Sequence, residues 1–205
     1  MDPFLKEISD SITDGLKKTQ ALLPVDDVDL VIEDNPDWAI PETGVGGQAP
    51  TAHIVIISIN PLKDGIAKSL YKEITSTLTH ELHHCARMKE IGYGKTLWET
   101  LVTEGLTAHF DLEVNKGQPK PWDITLKLEQ IPELLKKAEK EYDSEKYNHS
   151  DWFFGREDRN IPRWTGYSLA YHIIGKYLKN NPDKTATKLY KTPAIEFRDK
   201  YIKED

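Results

Sequence analysis

The chain has 205 residues, 38% hydrophobic and 30% charged, with a net charge of −7 at pH 7. That length supports one sizeable core, and the composition is that of an ordinary globular protein. The acidic balance excludes a nucleic-acid footprint, and the longest strongly apolar stretch, Ile54–Ile59, is too short to span a bilayer. The first residues lack the basic and apolar regions of a secretory signal, and a single cysteine, Cys85, forms no intrachain disulfide. Both features place the expected compartment in the reducing cytoplasm.

Residues 4–23 carry Phe4, Leu5, Ile8, Ile12, Leu16, Leu22 and Leu23 at helical spacing and stop at Pro24. Residues 28–33 read as a short strand. The glycine cluster Gly44-Val45-Gly46-Gly47 lacks the Lys-Ser/Thr of a phosphate loop, so it reads as a turn between strands. Residues 53–59 are rich in β-branched side chains and end at Asn60-Pro61, the pattern of a second strand. A long helix is expected over residues 66–91, with Gly92 suited to end it. On it Ile74, Leu82 and Cys85 fall within about 40° of Leu78, the stripe that faces the core.

Thr96-Leu97-Trp98-Glu99 is a capping-box sequence that opens a second helix, running to about residue 115. Residues 126–145 read as one or two polar helices, with Pro132 suited to a first helical turn, and lysines and glutamates alternate through 127–146 as on a solvated helix surface. Trp152-Phe153-Phe154-Gly155 reads as a packed aromatic loop, and residues 166–178 and 193–201 as two further helices. The expected fold is α+β: a single domain over 1–205, with a sheet-rich part (1–65) led by a helix and a helical part (66–205).

The chemistry concentrates at His80-Glu81-Leu82-His83-His84. Residues four apart in a helix are separated by about 40° around the axis and about 6 Å along it. His80 and His84 therefore aim their imidazoles at one ion, and Glu81 stands beside the water such an ion binds. They lie about 120–160° from Leu78, on the face opposite the core stripe. Glu104 supplies a third donor. It sits along the line of Leu97, Leu101 and Ala108 on the apolar side of its helix, where an unpaired carboxylate costs several kcal/mol of desolvation. The turn Gly92-Tyr93-Gly94 is short enough to fold that helix back beside the histidines. Two histidines and a glutamate leave a fourth position open, the donor set of a catalytic zinc site.

Each element has a plainer alternative. The histidines can be a coincidental surface pair, and Glu104 an acid beside Arg87 or a lysine. His109 rivals Glu104 as third ligand. His83 points 60–100° away from the ligand direction and reads as a supporting or surface residue, and Cys85 as a small buried hydrophobe.

With these motifs the chain resembles the gluzincin clan of zinc metallopeptidases, in which a glutamate ligand follows the histidine helix on a second helix. Glu104 falls twenty residues past His84, as in that pattern. The order His-Glu-Leu-His-His (80–84), Thr-Glu-Gly-Leu-Thr-Ala-His-Phe (103–110) and Trp-Thr-Gly-Tyr-Ser-Leu-Ala-Tyr (164–171) is similar to a family of small bacterial predicted zinc-dependent proteases. The resemblance implies a zincin-like layout: a small, mostly antiparallel sheet packed on the histidine-bearing helix and further helices. It also implies a cleft-edge strand that binds extended peptide, and residues 53–59 occupy the matching position. Ile54, Ile56 and Ser58 are then the substrate-binding candidates. One departure stands out: thermolysin-like members carry an aspartate one turn after the glutamate ligand, and here that residue is Ala108.

The implied activity is peptide-bond hydrolysis by a zinc-activated water with Glu81 as general base, acting on peptides or unfolded proteins. Tyr167 and Tyr171, four apart on one helix, are candidates for oxyanion donor, with His172 behind them, and aromatic packing is the plain alternative. Arg163 is a candidate for a substrate carboxylate or a surface ion pair. Two other readings remain open: a metal-binding module that recognises a peptide or partner without cutting it, and a latent protease covered by residues 1–23 or the C-terminal tail.

Overall fold

The computed structural model describes residues 3–202, which divide into two compact units, one up to Glu90 and one from Ile91 onward. The histidine helix falls in the same unit as the sheet.

In the first unit, helix α1 (Pro3–Gln20) is followed by strands β1 (Asp29–Asp34), β2 (Val45–Thr51) and β3 (Ile54–Ile59) and helix α2 (Ile66–Ile91). The strand order is β1-β3-β2, with β3 parallel to β1 and antiparallel to β2. The sheet is therefore mixed, not mostly antiparallel. Its most apolar strand takes the centre, where both sheet edges and most side chains are covered: Val55, Ile57 and Ile59 are buried. The expectation of 53–59 as a cleft-edge strand is corrected here. The backbone around Ile54, Ile56 and Ser58 is occupied by ladders on both sides, and Ser58 donates its Oγ–H to Glu33 Oε1 at 2.7 Å. The edge position belongs to β2. Of the glycine cluster expected as a turn, Gly44 keeps a bend at φ +77°, whereas Gly46 and Gly47 lie in this strand, where their neighbours leave no room for a side chain: a Cβ would lie 2.2 Å from Trp38 O at Gly46 and 2.5 Å from Thr77 Cγ2 at Gly47.

Helix α2 keeps the expected bounds and stripe. Ile74, Leu78, Leu82 and Cys85 are all buried, and Gly92 ends the helix at φ +82°. Helix α1 rests on that stripe: Gly15 is placed against Leu78, and Thr75 donates to Ser11 O at 3.3 Å. These contacts lie on the side turned away from the histidines.

The second unit contains α3 (Leu97–Asn115), a short 3-10 turn, α4 (Ile131–Glu139), α5 (His149–Phe154), a second 3-10 turn, α6 (Thr165–Asn180), α7 (Ala186–Leu189) and α8 (Ala194–Ile202). Thr96 caps α3 in a complete capping box with Glu99. The aromatic stretch 152–155, expected as a loop, is helix α5. Asn148 caps it by accepting from the Asp151 amide at 3.2 Å, while Trp152 and Phe153 are buried. Helix α3 packs chiefly on α6, and the two backbones meet at Gly105, where a Cβ would fall 2.3 Å from Ala170 O. Trp98 ties α3 to α8 by donating Nε1–H to Ala194 O at 2.8 Å.

Gly105→Ala is expected to destabilise the protein by about 1–3 kcal/mol, since the added methyl meets rigid backbone. A lowered urea midpoint checks this, and an unchanged midpoint would show that the helices do not meet at that residue.

Candidate metal centre

Helix α2 presents His80 half-buried and His84 buried, one turn apart. Their Nε2 atoms are 3.2 Å apart and the rings meet edge to face at 76°. Two ligands held at about 2.0–2.1 Å in a tetrahedral shell stand about 3.3 Å apart, so this spacing suits two imidazoles on one ion. Glu81 is 5% exposed and lies against the backbone of Gly47 in β2: a Cβ there would be 2.7 Å from Glu81 Oε1. The absent side chain at Gly47 thus makes room for this carboxylate, a role the sequence signalled only as a glycine cluster. Cys85 is buried as expected, and its thiol is pushed up to about 12 by desolvation, with the Glu81 charge adding to it.

In the second unit Glu104 is also 5% exposed, on the apolar side of α3 with Leu97, Leu101 and Ala108 buried beside it in sequence order. Tyr93 donates its hydroxyl to Glu104 Oε1, and the Tyr93 carbonyl accepts from Thr103 Oγ1 at 2.9 Å. The Gly92-Tyr93-Gly94 turn therefore delivers a partner to the carboxylate. Tyr147 and His149 share this environment. Burial raises the Tyr147 hydroxyl, and the charges of Glu104 and Glu99 raise it further, against a lowering hydrogen bond with Thr100 at 2.7 Å. Burial lowers the pKa of His149, opposed by the Glu104 charge. The ring of His149 stacks on Phe153 at 4.3 Å. Nothing in the residue pattern singled out Tyr93, Tyr147 or His149, because they approach Glu104 from loops and a short helix with no periodic signature.

One ligand atom from each of His80, His84 and Glu104 falls within a common 4.8 Å, the group of donors that can hold a metal ion among the described residues. Two buried or half-buried imidazoles with one buried carboxylate make the nitrogen and oxygen set that zinc accepts, short of a fourth ligand. The other expectations are placed as follows. His109, the rival ligand, has its Nε2 3.0 Å from Tyr171 O and its ring stacked on Tyr171 at 4.4 Å. Tyr167 packs edge to face against both Phe153 and Trp164. The Arg163 guanidinium lies over the Trp164 ring at 4.2 Å. His83 is fully buried and not on the surface.

No helix among the described residues is long and apolar enough to cross a membrane. The model of a family described as "Predicted Zn-dependent protease (DUF2268)" matches residues 8–199. The uncharacterized protein YjaZ of Bacillus subtilis (strain 168) is 28% identical over 136 residues, 63% of this chain and 51% of that protein. The chain thus aligns with about half the length of that curated relative. No solved structure matches. Zinc is the ion that the family description names and that the His80, His84 and Glu104 group is positioned to bind. With its match running over residues 8–199, the chain belongs to the family of predicted Zn-dependent proteases.

Proposed function

We propose that this protein is a zinc-dependent peptidase of the gluzincin type, with His80, His84 and Glu104 as ligands and Glu81 as general base. The observation that carries the reading is the convergence of those three donors beside a second, separate carboxylate on the histidine helix.

When bound, zinc supplies Lewis acidity, lowering the pKa of a water towards neutrality and drawing charge from a carbonyl oxygen. Glu81 takes the proton of the attacking water and gives it to the leaving amide nitrogen, so the carboxylate ends the cycle as it began. Its position against Gly47 holds the accepting oxygen in place. The substrate is a peptide or unfolded protein that extends along β2. No described strand pairs with the outer edge of β2, and Gly47 in that strand adjoins Glu81. Backbone hydrogen bonds to such an edge fix an extended chain with little demand on its sequence. Gly47, Gln48 and Ala49 take over in this reading the role expected of Ile54, Ile56 and Ser58.

The oxyanion needs a donor, and Tyr147 and His149, whose Oη and Nδ1 stand 3.4 Å apart, are the candidates on the Glu104 side. Tyr167 is the next candidate, since Phe153 contacts both its ring and that of His149. Tyr171 stands behind these, stacked on His109. Tyr93, through its hydrogen bond, holds Glu104 in the orientation a ligand needs, a duty the missing aspartate at Ala108 leaves to other residues.

Glu81→Gln is expected to reduce cleavage of an unfolded protein substrate by about 10²–10⁴-fold with zinc content unchanged. Undiminished cleavage in that variant would remove Glu81 from the reaction, and zinc-bound wild type that binds peptide without ever releasing product would favour the non-catalytic module. Tyr93→Phe is expected to weaken zinc binding about 10–100-fold in a competitive chelator titration. Equal affinity in the two proteins would show that the hydroxyl does not orient the ligand.

A further inference from the structure

The second unit contains a cavity of about 540 Å³, on the α6 face that carries Tyr171, His172, Lys176 and Lys179. Its facing wall is apolar: Leu126 and Ile131 are buried, whereas Ile124 and Leu128 are 58% and 76% exposed at the rim. The wall is fastened to α6 through Ser168, which donates to Trp122 O at 2.7 Å and accepts from the amides of Thr125 and Leu126. On the α6 side, Gly175 lies against the His109 ring, where a Cβ would come 3.3 Å from Nε2. The cavity is thus preformed and lies in the ordinary size range for a small-molecule site.

Its electrostatics set the ligand. The chain as a whole is acidic, yet Lys176 and Lys179 sit one turn apart on the same side of this hollow. His172 stands one turn before Lys176, and burial, followed by the Lys176 charge, lowers its pKa. The carboxylate of the lining, Asp123, is buried and accepts from the Lys120 amide at 3.0 Å, and its negative charge also faces Tyr171, whose pKa burial and then that charge raise. A large apolar wall opposite a pair of ammonium groups matches a molecule with an apolar body and one anionic end.

We propose that this cavity binds an amphipathic carboxylate, with its apolar chain along Ile124, Leu126, Leu128 and Ile131 and its carboxylate at Lys176 and Lys179. Two sources offer that chemistry, a fatty carboxylate and the free C-terminus of an apolar peptide. Neither requires the metal centre, so the site stands or falls independently of the peptidase reading.

Isothermal titration of the full chain with decanoate, and separately with an acetylated leucine dipeptide bearing a free carboxylate, tests this. The corresponding amides serve as neutral controls. At least one of the two carboxylates is expected to bind saturably at one per chain, with its amide weaker by about tenfold or more, the scale of a lost charge-assisted hydrogen bond. The Lys176→Met, Lys179→Met double variant is expected to lose about the same factor for the carboxylate and none for the amide. Leu128→Asp, at an exposed rim position, is expected to weaken both forms. Decanoate binding alone assigns the ligand to fatty carboxylates, and dipeptide binding alone to peptide ends. Absent binding of both, equal affinity for carboxylate and amide, or variants that keep their melting temperature and bind as wild type would overturn the proposal.

Discussion

The placement of Glu104 constrains much of what surrounds it. Its carboxylate sits on the apolar side of a helix at 5% exposure, in company with Leu97, Leu101 and Ala108. A charge in that position is costly unless something compensates it. The Tyr93 hydroxyl supplies one hydrogen bond to it. A dication shared with His80 and His84 would offset that cost further. The same burial that makes Glu104 expensive without metal makes it a strong ligand with metal, because the low local dielectric strengthens its attraction to the ion. Metal binding is then also a source of folding stability.

Close backbone approach is the second theme. Gly47 allows β2 to pass directly over Glu81, and Gly105, the residue after Glu104, allows α6 to lie on α3. Both are places where even a methyl group would collide with its neighbours. The two carboxylates are therefore held by elements packed at the shortest distance available to them, which limits how far either can wander. The role proposed for Glu81 calls for such confinement, since a small misplacement of a catalytic group forfeits much of the rate.

Much of this was readable in the residues. The long helix, its core stripe through Leu78 and Cys85, the capping box at Thr96 and the ligand pattern are local signals, written in spacings of three and four. The sheet was less legible. Nothing local tells a central strand from an edge strand, so the residues offered no check on the edge role that the resemblance implies for 53–59, while the pairing places β3 in the middle and leaves the edge to the glycine-rich β2. Composition pointed to a turn at Gly44–Gly47 because glycine is rare in strands, and the reason for glycine there is a tertiary one, the Thr77 and Glu81 side chains. The aromatic run at 152–154 hid a short helix for a similar reason: its start is set by the Asn148 cap and its inward face by packing. Tyr93, Tyr147 and His149 reach the Glu104 environment through tertiary folding alone.

The account rests on the three ligands acting together, and metal content measures this directly. Purified protein supplied with zinc, wild type beside Glu104→Ala, should show about one zinc per chain in the wild type and little in the variant after dialysis. Equal zinc in both, or a wild type that refuses the metal, would contradict the assignment of Glu104 as ligand and with it the peptidase mechanism built on that site.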